Sequence, residues 1–231
     1  MKTVLITSAN KGIGFEVARQ LAKLNYFVYL GSRDKERGLL AIEKLNNMGI
    51  INVEYIVIDV SDVNAVRQAR QELETKICGV DILINNAGIA GGEAQNLSTC
   101  DLQDLRRIFD TNFFGAIQVT QEFLPLLKKS TQSSIINVSS EVGSLPSLSG
   151  SVGNSNWHKY HTYGASKTAL NAFTVMLANE LNDTGISVNS VTPGHTVTDL
   201  NQFKGIKTVE EGASLIVRQT KESDQALLGS S

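Results

Sequence analysis

Short apolar segments rich in β-branched residues alternate with longer amphipathic segments along most of this 231-residue chain. The first apolar segment, Val4–Ile6, ends in a glycine-containing turn, after which Ile13, Val17, Leu21 and Leu24 recur at helical spacing. Strands that alternate with helices form βαβ units, in which the strands pair in parallel and the crossovers are right-handed. The pattern therefore predicts an α/β fold: a doubly wound parallel sheet with helices on both faces.

The alternation continues to about residue 191 and predicts six strands and five helices. In such a sheet, ligands bind in a crevice outside the carboxyl ends of the strands. The predicted strands are Val4–Ile6, Tyr26–Leu30, Val53–Ile58, Ile82–Ile84, Ile135–Val138 and Ile186–Val191. The predicted helices begin at about Ile13, Asp34, Asp62, Asp101 and Thr162, and the fourth runs to Lys128 with an uneven end at Pro125.

Length and composition fit a single globular domain over residues 1–231. An α/β domain can reach roughly 250 residues, and contents of 42% hydrophobic and 19% charged residues are ordinary for a folded chain. A stretch rich in glycine and serine, Ser144–Asn156, indicates a loop-like insertion, which we place at about 144–160.

Charge and cysteine content exclude several classes of protein. The net charge is only −2, so we expect no basic surface for nucleic acid. No apolar run reaches the roughly 18 residues of a membrane span, and the first strand shows no signal-peptide pattern. Cys78 and Cys100 form neither a CxxC pair nor a zinc set, and the three histidines lack metal-site spacing. We therefore expect a cytoplasmic protein with free thiols and with no metal, membrane or nucleic-acid partner.

The turn after the first strand, Thr7–Gly14, has the composition of a phosphate-binding turn. Gly12 and Gly14 let the backbone approach a pyrophosphate, and the helix that begins there offers free N–H groups and the positive end of its dipole. The position between the first strand and the first helix favours this interpretation over a plain βα turn. The sequence therefore predicts a dinucleotide site at this turn.

The end of the second strand indicates which dinucleotide binds. An acidic residue near this position binds the ribose 2′-hydroxyl of NAD(H), but this chain has Ser32 followed by Arg33. Arginine binds a 2′-phosphate through paired, charge-assisted hydrogen bonds, and Lys11 in the turn adds a second positive charge. Either cation alone could be an ordinary surface residue, but together they favour NADP(H) over NAD(H).

Tyr163 and Lys167 are four positions apart in the fifth predicted helix and therefore share one helix face. An ammonium near a phenol stabilises the phenolate and lowers the pKa of the phenol, which prepares a tyrosine for proton transfer. A tyrosine and a lysine at this spacing also occur by chance, so the pair gains weight only from the motifs that accompany it.

Seven short motifs occur in order along the chain. They are Thr7–Gly14, Asp59–Val60, Asn85–Gly88, Asn112, Ser139–Ser140, Tyr163 with Lys167, and Pro193–Gly194 with Thr198. Each motif is weak alone, but their common order closely resembles the short-chain dehydrogenase/reductase family over about residues 3–213. The Asn10–Gly12 and Ser32–Asp34 segments resemble most the NADPH-dependent carbonyl reductases of that family.

The resemblance implies a Rossmann fold and a role for each motif. Tyr163 would be the general acid in carbonyl reduction, and Ser140 would polarise the carbonyl. Lys167 would bind the nicotinamide ribose and tune Tyr163, and Asn112 would support a water that links Lys167 to solvent. The implied cofactor-binding residues are Ser8, Asn10, Lys11, Gly12, Ile13, Gly14, Arg33, Asp59, Val60, Asn86, Ala87, Gly88, Tyr163, Lys167, Pro193, Gly194, Thr196 and Thr198.

These roles predict an oxidoreductase that transfers a hydride between NADP(H) and a small carbonyl or alcohol, with reduction of an aldehyde, ketone or quinone as the expected reaction. Two other functions stay open. A non-catalytic nucleotide-binding sensor or scaffold could share the fold, although it has little reason to retain Asn112, Ser140, Tyr163 and Lys167 together. An epimerase or dehydratase could share the tyrosine–lysine pair, but such relatives usually carry a further substrate domain.

Three features depart from the family pattern. Ser8 replaces the first glycine of the turn, where a side chain narrows the freedom of the backbone. Ser140 and Tyr163 are 23 positions apart, more than is usual, and in carbonyl reductases a longer segment here can hinder tetramer formation. A homodimer and a monomer both stay open. No clear final strand follows Ala213, and Ala226–Leu228 is a poor candidate for one.

Overall fold

The computed structural model describes residues 1–92, 95–149 and 157–228, and the strands in this part of the chain form one parallel sheet. The strands are β1 (Thr3–Ile6), β2 (Phe27–Ser32), β3 (Val53–Val57), β4 (Ile82–Asn85), β5 (Ser133–Val138) and β6 (Ile186–Val191). They lie in the order β3-β2-β1-β4-β5-β6, and every neighbouring pair is parallel. The predicted doubly wound parallel sheet of the Rossmann type is confirmed.

Helices cover both faces of this sheet. They are α1 (Gly12–Lys23), α2 (Lys35–Asn47), α3 (Val63–Lys76), α4 (Leu102–Phe109), α5 (Gly115–Leu127), α6 (Leu145–Ser149), α7 (His161–Glu180) and α8 (Val209–Leu228). One core cluster joins the strands to α1, α2 and α8, through residues such as Val17, Leu45 and Ile216. The other joins them to α3, α5 and α7, through residues such as Leu73, Phe123 and Leu177.

The central strands are apolar throughout because both of their faces are buried. Val4 and Ile6 of β1 point into the first core cluster, whereas Leu5 between them points into the second. Successive side chains of a strand point to opposite faces, so a strand between two helical layers needs apolar residues at every position. This requirement explains the continuous apolar segments from which the fold class was predicted.

The carboxyl edge of the sheet gathers the polar motifs. Ile6 of β1 is in register with Ile84 of β4, and Asn85 of β4 is in register with Asn137 of β5. The turns that follow these three strands therefore lie side by side. The chain order reverses between β1 and β4, so the ligand crevice of this fold opens at this point.

The helix predicted over 101–128 is interrupted in the structure. A π-helical turn, Asp110–Phe114, separates α4 from α5. Single π-helical turns are rare in proteins, and those that occur often lie at functional sites. Pro125 lies inside α5, which ends at Leu127, close to the end predicted at Lys128. Pro125 has no N–H to donate to the carbonyl four positions earlier, so the last turn of α5 lacks one backbone hydrogen bond.

The C-terminal segment is helical where no element was predicted. Thr208 and Glu211 form a capping box: Thr208 N donates to Glu211 Oε2 at 2.8 Å, and Glu211 N donates to Thr208 Oγ1 at 3.2 Å. Ala213, Ile216 and Val217 then follow at helical spacing and are buried against α1. The sequence Thr-x-x-Glu before this apolar pattern is the signal that predicts α8, and Ala226–Leu228 belongs to it.

The insertion predicted at about 144–160 lies partly outside the described residues, which omit 150–156. On its near side α6 follows β5, and on its far side a 3₁₀ turn, Trp157–Tyr160, leads into α7. Within the described part of the chain, no helix is long and apolar enough to span a bilayer.

Candidate active site

The turn between β1 and α1 leaves the first N–H groups of α1 without a side-chain cap. Lys11 occupies the N-cap position in extended conformation, its side chain makes no capping hydrogen bond, and no acidic residue lies in the first turn. Gly12 has φ +57°, in the left-handed region that favours glycine. An uncapped helix start of this kind suits an anion. Asn10 and Ile13 are half-buried beside it.

The side chain of Asn86, which follows β4, is hydrogen-bonded to the backbone of this turn. Its Nδ2 donates to the carbonyl oxygens of Thr7 at 2.9 Å and of Ser8 at 3.1 Å. Thr7 Oγ1 accepts in return from the N–H groups of Asn86 and Ala87, both at 3.0 Å. A Cβ atom at Gly14 would lie 2.5 Å from Asn86 Nδ2, so only glycine fits there. The Asn86 side chain thus holds the turn together.

Ser8 adopts a strained backbone conformation in this turn. Its φ is +53°, a left-handed value that costs a residue with a Cβ atom about 1–2 kcal/mol. We expect Ser8→Gly to raise the free energy of unfolding by about 0.5 kcal/mol, because the greater flexibility of unfolded glycine offsets part of the relief. We expect Ser8→Val to lower it by more than about 1 kcal/mol, since a β-branched residue tolerates this region poorly. Urea unfolding followed by circular dichroism measures both, and equal stability of the two variants would contradict the assigned strain.

Arg33 directly follows the last residue of β2, and its side chain is exposed to solvent. Ser32 is buried, and its Oγ donates to the Asp34 carbonyl oxygen at 3.0 Å, so its hydroxyl hydrogen is already used in a hydrogen bond to the backbone. Arg33 is exposed and forms no ion pair within the described part of the chain. The nearby Asp34 is paired with Arg37 at 3.2 Å. The Arg33 guanidinium therefore has no carboxylate partner among these residues.

Asp59 and Val60, after β3, border the same edge. Asp59 Oδ1 accepts from Ser61 N at 2.9 Å and from Ser61 Oγ at 2.7 Å, so this carboxylate closes a turn. Val60 is buried, and its carbonyl oxygen accepts from Gln118 Nε2 of α5. The Asp59 carboxylate therefore stabilises the turn that follows β3.

The segment after β6 lies across the turn at the start of α1. Lys11 Nζ forms an ion pair with Asp199 Oδ2, and a Cβ atom at Gly12 would touch Thr198 Cγ2 at 3.8 Å. The segment is braced internally, because Thr196 Oγ1 donates to the carbonyl oxygens of Pro193 at 3.2 Å and of Gly194 at 3.3 Å. All of the predicted residues of this segment therefore lie on the crevice side of the sheet edge.

Ser140, Tyr163 and Lys167 come together beyond the end of β5. Burial raises the pKa of Tyr163 to about 12, and the neighbouring Ser140 hydroxyl opposes this shift by a smaller amount. Lys167 Nζ lies 5.7 Å from the centre of the Tyr163 ring. The lowered phenol pKa expected from the spacing of the pair is not found in this structure, because desolvation of the phenol dominates.

Lys167 is a buried ammonium held by one backbone carbonyl. Its Nζ donates to the Val138 carbonyl oxygen at 2.7 Å, and burial lowers its pKa to about 8. A lysine ammonium has three donors. One contact to β5 therefore leaves two N–H groups that can bind another acceptor.

Asn112 lies in the π-helical turn and is almost fully saturated with hydrogen bonds. Its Nδ2 donates to the Ile89 carbonyl oxygen and to Ser166 Oγ, both at 3.0 Å, and its Oδ1 accepts from Ile89 N at 2.8 Å. A Cβ atom at Gly88 would lie 3.5 Å both from Asn112 Oδ1 and from Lys167 Nζ. One acceptor position of Oδ1 thus remains, and both Asn112 Oδ1 and Lys167 Nζ border Gly88.

Gln95 is a buried residue at this site that the sequence analysis did not identify. Its side-chain oxygen accepts from Thr162 Oγ1 at 2.8 Å and from Tyr163 N at 3.1 Å. No motif surrounds Gln95, and its partners on α7 are 67 and 68 positions away, so no local pattern could have indicated it. Among the described residues, no group of three or more histidine, cysteine or acidic side chains could hold a metal ion.

A doubly wound sheet with a serine, a tyrosine and a lysine at its carboxyl edge is the arrangement of a Rossmann-type oxidoreductase. Residues 2–208 match the family model for short chain dehydrogenases, and the chain belongs to this family of oxidoreductases. The resemblance inferred from the ordered motifs is thereby confirmed.

Three similar proteins illustrate the range of this family. (+)-Neomenthol dehydrogenase of Arabidopsis thaliana is 32% identical over 266 residues, which cover 93% of this chain and 89% of that protein. The structure of salutaridine reductase from Papaver somniferum has a TM-score of 0.83 at 28% identity, covering 95% of both chains. The NADPH-bound carbonyl reductase from chicken fatty liver has a TM-score of 0.84 at 28% identity, covering 95% of this chain and 91% of that one.

Proposed function

We propose that this chain, acting as one domain over residues 1–231, is a cytoplasmic NADPH-dependent reductase of a small aldehyde, ketone or quinone. The observation that carries the proposal is the group of Ser140, Tyr163 and Lys167 beside Asn112 at the carboxyl ends of β4 and β5. A phenol and a neighbouring hydroxyl can both donate to one carbonyl oxygen, where negative charge develops during reduction. The free cysteines Cys78 and Cys100 are consistent with a reducing compartment.

The residues at the crevice fit a dinucleotide. The first turn of α1 offers N–H groups that no side chain caps, and Gly14 holds the backbone tightly against Asn86. We assign the pyrophosphate to this turn, Asp59–Val60 and Asn86–Gly88 to the adenine side, and the segment of Pro193, Gly194, Thr196 and Thr198 to the nicotinamide side.

Arg33 carries the proposed preference for NADPH. A 2′-phosphate would bind its guanidinium through charge-assisted hydrogen bonds, and Ser32 in place of an acidic residue removes the repulsion that a carboxylate would exert. Lys11 lies in the same region, but its ammonium is already paired with Asp199. The carbonyl reductase from chicken fatty liver, which has a similar structure, was solved with NADPH bound.

We expect Arg33→Ala to weaken NADPH binding roughly tenfold or more, and NADH binding by less than about twofold, because only NADPH has the 2′-phosphate. Fluorescence titration with each cofactor measures the two dissociation constants. Lys35→Ala removes an exposed positive charge two positions away and serves as the control. Equal weakening of both cofactors by Arg33→Ala, or an equal effect of Lys35→Ala, would contradict the assignment.

When bound, NADPH supplies the hydride. Tyr163 supplies the proton: with a pKa raised to about 12, its hydroxyl is fully protonated at neutral pH and can donate to the developing alkoxide. Ser140 donates to the same oxygen and keeps it beside Tyr163. The protonated hydroxyl is the form that a general acid of carbonyl reduction requires.

Lys167 and Asn112 complete the proposed proton path. The two N–H groups of Lys167 that do not contact Val138 can bind the ribose hydroxyls, which places the nicotinamide next to Tyr163. The remaining acceptor position of Asn112 Oδ1, which borders Gly88 as Lys167 Nζ does, can bind a water that returns the proton from solvent. Asn112 is itself held by Ile89 and Ser166, so this acceptor has a fixed direction.

The proposal is tested by adding NADPH and NADH separately to the chain with a panel of small aldehydes, ketones and quinones and following loss of the reduced cofactor. We expect turnover with at least one carbonyl and faster turnover with NADPH. Binding of NADPH without turnover of any carbonyl would instead indicate the non-catalytic sensor or scaffold.

A further inference from the structure

Gln95 uses every hydrogen-bonding position of its side-chain amide. Its Oε1 accepts from Thr162 Oγ1 at 2.8 Å and from Tyr163 N at 3.1 Å. Its Nε2 donates to the carbonyl oxygens of Ala90 at 2.6 Å and of Gly92 at 3.0 Å. The side chain is buried, with 5% of the residue exposed. An amide offers two donor and two acceptor positions, so this one is saturated.

The acceptor half of Gln95 replaces a cap that α7 lacks. The N-cap residue Tyr160 makes no side-chain capping hydrogen bond. A helix begins with N–H groups that have no partner inside the helix, and a cap normally accepts from the second or third of them. Gln95 accepts from the third, which is the N–H of Tyr163 itself. The backbone of the proposed acid is thus fixed from outside its own helix.

The donor half of Gln95 holds the segment that carries the rest of the site. Ala90 and Gly92 follow Ile89, whose N–H and carbonyl both bond to Asn112, and Gly88, which borders Lys167. One side chain therefore connects the segment after β4 to the first turn of α7. A displacement between these two parts would change the position of Tyr163 relative to Asn112.

We propose that Gln95 is a positioning residue for the reaction. It holds the first turn of α7 against residues 88–92 and thereby holds the Tyr163 hydroxyl in place. The inference rests on the proposed function, since positioning matters only if Tyr163 transfers a proton. Gln95 itself does not contact the reacting atoms. We call the four hydrogen bonds of Gln95 the Gln95 clamp. Displacement of a catalytic group by about 1 Å can lower the rate roughly 100-fold, so loss of the clamp should have a measurable effect on kcat.

Two substitutions of similar size separate the two halves of the amide. Gln95→Met removes all four hydrogen bonds. Gln95→Glu keeps an acceptor for Tyr163 N and Thr162 Oγ1 but loses both donors when ionised. The control is Asn52→Leu, which also removes an amide that donates to two backbone carbonyls, those of Ala22 at 2.8 Å and Tyr26 at 2.6 Å, in a region far from the site.

We expect Gln95→Met to lower kcat roughly tenfold to 100-fold while KM for NADPH changes less than about twofold. Gln95→Glu should recover part of kcat, and Asn52→Leu should lower the unfolding midpoint without lowering kcat. A kcat for Gln95→Met within about twofold of the wild type, or no recovery in Gln95→Glu, would overturn the proposal. If Gln95→Met does not fold, Thr162→Val, which removes one donor to Oε1, is measured in its place, and an unchanged kcat counts against the clamp.

Hydrogen exchange tests the clamp without any turnover. We expect the Tyr163 amide of Gln95→Met to exchange roughly tenfold faster, while amides of β5 keep their protection. Unchanged exchange at Tyr163 would refute the clamp even if the wild type reduces carbonyls. A wild type that reduces no carbonyl would refute the proposed function, and the exchange result would then decide on the clamp independently.

Discussion

Tyr163→Phe is expected to lower kcat for carbonyl reduction roughly 10²- to 10⁴-fold, with NADPH affinity and fold unchanged. The substitution removes only the hydroxyl that donates the proton. The ring keeps its contact with Tyr160, and Lys167 keeps its hydrogen bond to the Val138 carbonyl oxygen. Phenylalanine has no ionisable group, so it cannot supply the proton that the Tyr163 hydroxyl donates. The measurement is NADPH oxidation at saturating carbonyl substrate.

Tyr160→Phe provides the matched control for this experiment. Tyr160 lies three positions earlier, and its ring meets the Tyr163 ring edge-on with centroids 6.5 Å apart. Tyr160→Phe therefore removes the same functional group three positions away and leaves the Tyr163 hydroxyl in place. We expect Tyr160→Phe to retain kcat within about threefold. Equal losses in both variants, or full turnover in Tyr163→Phe, would show that a different group supplies the proton.

The sequence was sufficient to predict where most of this site lies. Strand and helix periods are strong in this chain, and the carboxyl ends of parallel strands always meet at one edge of the sheet. Motifs that directly follow strands, such as Asn86 and Ser140, therefore had to lie together once the strands were recognised. Tyr163 and Lys167 share a helix face for an equally local reason, their spacing of four.

Long-range contacts and burial were beyond what the sequence could predict. Gln95 reaches α7 across 67 positions, with no periodic pattern to indicate the contact. The spacing of Tyr163 and Lys167 correctly places the two side chains near each other, but it carries no information about desolvation, which raises one pKa and lowers the other. The π-helical turn around Asn112 likewise interrupts a helix whose sequence pattern predicts no break there.

Lys167→Met is expected to lower kcat/KM by at least about 100-fold and also to change how the stability of the fold depends on pH. In the folded chain, burial lowers the pKa of Lys167 from 10.5 to about 8. Between these two values the unfolded chain binds more protons than the folded chain, so the free energy of unfolding rises with pH. The full effect is about 3 kcal/mol across this range, and methionine contributes none of it.

The measurement compares urea unfolding of the wild type and of Lys167→Met between pH 7 and pH 10. From pH 8 to pH 10, the free energy of unfolding of the wild type should rise by about 2 kcal/mol relative to that of the variant. Tyr163 is present in both proteins, so its titration cancels in this difference. Lys44→Met, at an exposed position of α2, controls for the loss of a lysine. Its free energy of unfolding should change with pH in the same way as that of the wild type.

Parallel pH curves for the wild type and Lys167→Met would mean that Lys167 keeps an ordinary pKa in the folded chain. The ammonium would then be solvated, and its proposed contact with the ribose would no longer follow from burial. A rising difference, in contrast, would show that at neutral pH the fold holds a buried charge that weakens it. Such a charge is explained by function and not by stability, because a methionine of similar volume fills the same space without the cost.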